Sequence, residues 1–292
     1  MNLNDVVRRE IPPPRVVVER IVAMALEEDL GRGDVTTEAC VPRRTRGAAT
    51  FRARTRLVLA GFDVAREVFR QVDPDLEFHD RAKDGEIVEA GAPIGRVVGR
   101  AASILGGERV ALNFLQRLSG TATLTRSFVD AVPDGAKLRI TGTRKTTPGL
   151  RSLERYAIRC GGGHNHREDL STSVLIKDNH IAAAGGVRQA IERARAHAPH
   201  TSRIECEVDT EAQMEEALDA GVDIIMLDNF DDTRMAAAAK TIAGRALIEV
   251  SGGVTVARVP QLAHAGVDVV SVGALTHSAP SADVGLDWDA VD

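Results

Sequence analysis

The sequence predicts an α/β protein whose amino-terminal half is of mixed α+β character and whose carboxy-terminal half repeats a β–α unit best closed as a barrel. Three observations carry this. At 292 residues the chain exceeds the usual single-domain size of roughly 100 to 200, so one large α/β domain or two domains are expected. Between residues 138 and 273 six short β-rich runs recur, each followed by a turn or a helical stretch. Finally, Ala220-Gly221-Val222-Asp223 and Ala265-Gly266-Val267-Asp268 are near copies, each placing a helix-ending glycine ahead of an apolar strand. Repeats of roughly 20 to 35 residues fit a (β/α) barrel better than a long open sheet.

Taken in order, Met1 to Pro14 mixes charges with a Pro12-Pro13-Pro14 run and offers neither a secretory core nor a membrane span, so it reads as an unprocessed arm. Val16 to Leu30 has apolar positions at Ile21, Met24, Ala25 and Leu26 backed by Glu27, Glu28 and Asp29, the pattern of an amphipathic helix stopped by Gly31. Short alternating segments around Ala48 to Ala60, Leu76 to His79 and Gly95 to Val98, punctuated by Gly85, Gly91 and Pro93, read as strands of a compact sheet. Over Ser103 to Ser119 the spacing of Leu105, Val110, Leu112, Leu115 and Leu118 is helical, and this helix leads into the second half. The six β-rich runs are Leu138 to Thr143, Ser173 to Asp178, Arg203 to Val208, Asp223 to Asp228, Ala246 to Ser251 and Asp268 to Gly273. Six strands fall short of the eight of a closed barrel, so closure is expected to be incomplete or one strand irregular.

A formal net charge of -5 argues against broad attraction to a nucleic-acid backbone or an anionic membrane. Cys40, Cys160 and Cys206 are odd in number and form no CxxC pair, which suggests neither a disulfide framework nor a four-cysteine zinc site and fits a reducing cytosol.

In barrels of this kind the reactive groups collect where strands end. The six runs end in Arg144-Lys145, Lys177-Asp178-Asn179-His180, Glu207-Val208-Asp209, Leu227-Asp228-Asn229, Ser251-Gly252-Gly253 and Gly273-Ala274-Leu275. A single polar ending needs only water to explain it; six together outline a site. Thr143-Arg144-Lys145, His164-Asn165-His166-Arg167 and Lys177 form a basic set suited to an anion, because a guanidinium binds a carboxylate or phosphate through two parallel charge-assisted hydrogen bonds. Ordinary rim salt bridges to Glu154, Glu168 or Asp169 are the plainer alternative. Gly161-Gly162-Gly163 allows close backbone passage that would bring His166 and Arg167 into the mouth. Glu207 and Asp228, ending adjacent runs, are placed to accept ribose hydroxyl protons and to face positive charge at an anomeric carbon, with a structural salt bridge as the alternative for each. Ser251-Gly252-Gly253 and Val272-Gly273-Ala274 offer backbone amides to a phosphate, or are simply tight turns. The histidines include no H-E-x-x-H and no i, i+4 pair on a helix, so no fixed protein metal site is expected; magnesium carried by a pyrophosphate substrate is a separate matter.

These residues together resemble the quinolinate phosphoribosyltransferase family. Glu28-Asp29-Leu30-Gly31-Arg32-Gly33-Asp34-Val35-Thr36-Thr37 is similar to its amino-terminal signature and Gly107-Glu108-Arg109-Val110-Ala111-Leu112-Asn113 to its inter-domain helix. More specific still are Thr141-Gly142-Thr143-Arg144-Lys145-Thr146-Thr147-Pro148-Gly149 and Leu175-Ile176-Lys177-Asp178-Asn179-His180. The resemblance implies an amino-terminal α/β sandwich (residues 1–117), an open, incomplete α/β barrel (118–277), and a tail (278–292) packing back on the amino-terminal domain. It implies a homodimer with shared active sites, with larger assemblies of dimers also known. Quinolinate, phosphoribosyl pyrophosphate and magnesium would yield nicotinate mononucleotide, pyrophosphate and carbon dioxide for NAD synthesis in the cytoplasm. Carried over by position, Thr143, Arg144, His166, Arg167 and Lys177 would bind quinolinate, with Arg109 reaching in from the partner chain. Lys145, Lys177, Glu207 and Asp228 would address the phosphoribosyl donor, Lys145, Glu207 and Asp228 as the catalytic set. Residues Ser251, Gly252, Gly253, Val272, Gly273 and Ala274 would line its phosphate end. Three departures touch loop geometry and phosphate contacts: Thr172 where aspartate is common, Glu168-Asp169 in place of a more apolar pair, and Gly253 where asparagine is frequent. Rival readings are a Schiff-base aldolase using Lys177 and a same-fold paralogue tied to molybdate transport or to ligand binding alone.

Overall fold

A computed structural model describes residues 11–228 and 230–289. The expected arm up to Glu10, the strand-end residue Asn229 and the last three residues lie outside these. The chain divides into two compact units, one made of residues 1–126, 146–162 and 274–292 and the other of 127–145 and 163–273.

In the first unit the helix Arg15–Leu30 ends at Gly31, whose φ of 50° lies in the left-handed region where a side chain is penalised. Strands β1 (Arg46–Ala53), β2 (Leu57–Val58), β3 (Glu77–Asp80), β4 (Ile87–Val88) and β5 (Pro93–Arg100) follow, with the helix Phe62–Val72 between β2 and β3. β1 pairs antiparallel with β5, and β5 with β3. Alternate residues of β1 put Phe51 inward, where Phe62 and Phe69 meet its ring edge-on at centroid distances of 5.9 and 6.0 Å. Around them Leu59, Val68, Ile94, Ile104 and Leu115 are buried in one apolar core.

The predicted helix over 103–119 is longer than expected, running from Ala101 to Asp130. The expected domain boundary after residue 117 falls inside it. Arg117, on this helix, donates to the fully buried Glu154 at 2.7 Å, and Glu154 also accepts from the Thr147 hydroxyl at 2.7 Å and the Thr147 amide at 2.9 Å. Glu154 sits in the helix Arg151–Cys160, so the ion pair ties two segments of the first unit that lie far apart in sequence.

The second unit holds β6 (Arg139–Thr141), β7 (Val174–Ile176), β8 (Ile204–Val208), β9 (Ile224–Asp228), β10 (Leu247–Ser251) and β11 (Val269–Ser271). Each lies within one of the six predicted runs. All pairings are parallel, in the order β6-β11-β10-β9-β8-β7, and helices including Val187–His197, Glu211–Asp219 and Asp232–Ile242 connect them. The edge strands β6 and β7 are not paired with one another, so the barrel is open. A single parallel bridge joins Thr141 to His164 and adds an irregular rung beyond β6. Gly221 and Gly266, the repeated helix-ending glycines, have φ of 73° and 85°. The chain then returns to the first unit through the helix Ala274–His277 and β12 (Val284–Trp288), which pairs antiparallel with β1. Among the described residues no helix is long and apolar enough to cross a membrane.

Candidate active site

Side chains two apart on a strand share a face, so β8 turns Glu205 and Glu207 to the same side and β10 does so with Glu249 and Ser251. Parallel register places Ser251 beside Asp228 at the ends of β10 and β9. Lys177 follows β7, and its ammonium donates to Glu207, whose side chain is 16% exposed. The local fold holds Lys177 in place as well: its amide donates to His180 Nδ1 at 3.0 Å at the start of the helix Asp178–Ala184.

After β6 the chain presents Thr143, Arg144 and Lys145, with the Lys145 amide donating to the Thr143 hydroxyl at 3.0 Å. Thr143 and Arg144 are half-buried and Lys145 is exposed. Following the bridge at His164 come His166 and Arg167, both half-buried. Arg167 donates through Nη1 to the Ser173 carbonyl at 3.2 Å, while its Nε is buried and reaches no acceptor. Its pKa is lowered, first by burial and then by the charge of Arg144. Two guanidiniums that repel one another, one with a buried N–H lacking an acceptor, form a site prepared for an anion.

His166 Nε2 lies 3.2 Å from Glu205 Oε2 and 3.3 Å from Glu249 Oε1, and both carboxylates are buried. The Ser271 hydroxyl donates to Glu249. Burial is the largest single influence on His166 and lowers its pKa, but the hydrogen bonds to Glu205 and then Glu249 outweigh it and push the value up to about 10. Burial raises the pKa of Glu205, with the Glu249 charge adding to it and the hydrogen bond from His166 opposing. Both shifts express one fact: the cluster binds a proton more tightly than its members would in water.

The second unit therefore brings Thr143, Arg144, Lys145, His166, Arg167, Lys177, Glu207, Asp228, Ser251, Gly252, Gly253, Val272 and Gly273 to segments at the carboxyl ends of its strands. Arg109 and Ala274 belong to the first unit, Arg109 exposed on the long helix and Ala274 opening the helix Ala274–His277. Gly252 and Gly253 have φ of 88° and 58°, in the left-handed range that glycine adopts without cost and asparagine tolerates. The Thr172 hydroxyl accepts from the Glu168 amide at 3.2 Å and so closes the loop that follows Arg167. Sequence reasoning passed over Glu205 and Glu249. The available signal was a carboxylate in mid-strand, in Ile204-Glu205-Cys206 and Ile248-Glu249-Val250, where solubility gives no reason for one.

An open parallel barrel with basic side chains, carboxylates and glycine-rich turns gathered at the strand ends defines an enzyme that handles small anionic substrates. The family models agree with that class and make it specific: residues 34–119 match the quinolinate phosphoribosyl transferase N-terminal domain and residues 121–287 its C-terminal domain. The chain belongs to this family. It is 42% identical over 260 residues to a probable nicotinate-nucleotide pyrophosphorylase [carboxylating] of Bacillus subtilis, covering 89% of each chain. With the Synechocystis protein of the same description identity is 40% over 277 residues, covering 94% of this chain and 93% of the relative. Among solved structures, NadC from Streptococcus pyogenes superposes with a TM-score of 0.91 at 41% identity, covering 96% of this chain and 99% of that one. The nicotinate-nucleotide pyrophosphorylase of Francisella tularensis gives 0.91 at 36% identity, with the same coverage.

Proposed function

We infer that this protein is a decarboxylating quinolinate phosphoribosyltransferase, a pentosyltransferase that joins quinolinate to phosphoribosyl pyrophosphate and releases nicotinate mononucleotide, pyrophosphate and carbon dioxide in NAD biosynthesis. The observation that carries the reading is that Arg144 and Arg167 lie near enough for one charge to act on the other while the Arg167 Nε is buried without an acceptor, a dicationic set suited to a dicarboxylate. In the proposed reaction the pyridine nitrogen donates its lone pair to the anomeric carbon as the bond to pyrophosphate breaks, the leaving group taking that electron pair. The alkylated ring is cationic. The bond to the adjacent carboxylate then breaks, carbon dioxide departs, and the electron pair left on the ring carbon takes up a proton.

Arg144, Arg167 and Lys177 are assigned to the quinolinate carboxylates, with Thr143 and His166 beside them. Lys145, Glu207 and Asp228 are assigned to the phosphoribosyl donor, and the turns Ser251 to Gly253 and Val272 to Ala274 to its phosphates. These groups position the reactants and stabilise developing charge without forming a covalent intermediate. Magnesium enters as the counter-ion of the pyrophosphate; oxygen donors suit it, and the carboxylates of Glu207 and Asp228 are of that kind. The reading extends to a cytoplasmic homodimer in which Arg109 completes the partner's site. To test it, purified protein is mixed with quinolinate, phosphoribosyl pyrophosphate and magnesium while nicotinate mononucleotide is followed, with nicotinate as the control substrate. Product from quinolinate and none from nicotinate is expected; a folded protein that yields none from quinolinate overturns the assignment in favour of the binding paralogue.

A further inference from the structure

Both ring nitrogens of His166 have partners inside the barrel. Nε2 faces the two buried carboxylates of Glu205 and Glu249, and the backbone N–H of Arg167 donates to Nδ1 at 2.8 Å. An Nδ1 that accepts a hydrogen bond places the ring proton on Nε2, where the carboxylates are the acceptors. The imidazole is only 13% exposed, and both of its nitrogens are engaged by groups of the protein itself.

We propose that Glu205 and Glu249 are positioning residues for the dicarboxylate pocket: they hold His166, His166 holds the Arg167 amide, and Arg167 is thereby presented toward Arg144. The proposal rests on the quinolinate reading above and adds to it the parts that make the pocket. Buried carboxylates are costly unless they have partners, so a pair in the interior of a barrel calls for a purpose. Charge accounting supplies one. With Nδ1 accepting from the Arg167 amide the ring is neutral, so a further proton held by the cluster lies on the carboxylates; the three groups then carry a net charge of about -1, which offsets part of the repulsion between Arg144 and Arg167. Arg167 lies close enough for its charge to act on Glu205, and Ser271 fixes Glu249 from β11.

A divalent cation is the rival occupant, since one atom from each of His166, Glu205 and Glu249 lies within 4.8 Å of the others. The proton on Nε2 and the neighbouring guanidinium both oppose it.

The test is steady-state kinetics on Glu205→Ala, Glu205→Gln, Glu249→Ala and Glu249→Gln, varying each substrate with the other saturating. Alanine is expected to raise the quinolinate KM about tenfold or more while the KM for phosphoribosyl pyrophosphate stays within about twofold. Glutamine should recover most of the loss, because its amide oxygen still accepts from Nε2–H. Equal rises in both KM values, an unchanged quinolinate KM in folded alanine variants, or glutamine no better than alanine overturns the proposal. Nitrogen-15 NMR of histidine-labelled wild-type protein, with His166→Asn assigning the signal, reads the ring directly and decides the matter if the alanine variants do not fold. An Nε2–H ring with an acceptor Nδ1 is expected, and the opposite tautomer refutes the scheme. Metal analysis of the purified protein adds a third reading, in which one tightly held divalent ion per chain would overturn it. If the wild type makes no product from quinolinate, the functional reading fails, and the NMR result still judges the cluster separately.

Discussion

Arg144 and Arg167 carry like charges close enough for one to lower the pKa of the other. Such an arrangement is favourable only when an anion joins them, and a planar dicarboxylate does so with paired hydrogen bonds. Each charge-assisted bond contributes roughly 1.5 to 3 kcal/mol, so removing a bidentate pair through Arg144→Ala is expected to lower kcat/KM for quinolinate by about a hundredfold or more. Arg144→Lys should recover only part of this, since a point charge cannot make the paired contact. Steady-state assays with circular dichroism as the folding control check both, and full activity in Arg144→Ala would remove that residue from the site. Lys177 differs in its surroundings: its ammonium is paired with Glu207 at the end of the neighbouring strand.

The long helix Ala101–Asp130 and the ends of its neighbours show how secondary elements are held in register. Gly120 lies in the helix interior, where alanine is normally the better residue by about 1 kcal/mol. Here a Cβ would stand 2.0 Å from the Pro280 carbonyl oxygen, and the Ala282 amide donates to Gln116 O at 2.9 Å, so backbone packs directly on the helix. Gly120→Ala is therefore expected to lower the melting temperature against its propensity, and a rise would show that the segment yields easily. Asp73, which caps the helix Phe62–Val72, accepts from the Ser103 hydroxyl at 2.7 Å and Arg100 Nε at 2.9 Å. The Ser103 hydrogen bond above all, with Arg100 assisting against burial, holds its pKa below the usual carboxylate range. A depressed carboxylate contributes stability above its unfolded pKa of about 3.9 and loses it as pH falls through the folded value. Asp73→Asn should thus cost about 1 to 3 kcal/mol at neutral pH and much less at strongly acidic pH. Urea unfolding at both pH values measures this, and equal losses would contradict it.

For the whole protein, the proposed homodimer with sites shared between subunits predicts complementation. Mixing and refolding Arg109→Ala with Arg144→Ala should restore about a quarter of wild-type activity, since half the dimers are mixed and each then has one intact site; no recovery from verified mixed dimers would place Arg109 outside the partner's site. How much of this protein can be read along the chain follows from the range of the interactions involved. The six barrel strands, the helix-ending Gly31, Gly221 and Gly266, and the basic and acidic residues at the strand ends are local patterns of periodicity, backbone conformation and polarity, and they lie where the sequence places them. The extension of the long helix to Asp130, the pairing of β12 with β1 and the buried Arg117–Glu154 tie join segments remote in sequence or depend on such joining. So does the cluster of His166 with Glu205 and Glu249, three residues from three different segments of the second unit. A strand's amino acids state which side is apolar, but which charged group will lie against a mid-strand carboxylate depends on the stagger of the neighbouring strands, and that is settled only when the chain packs.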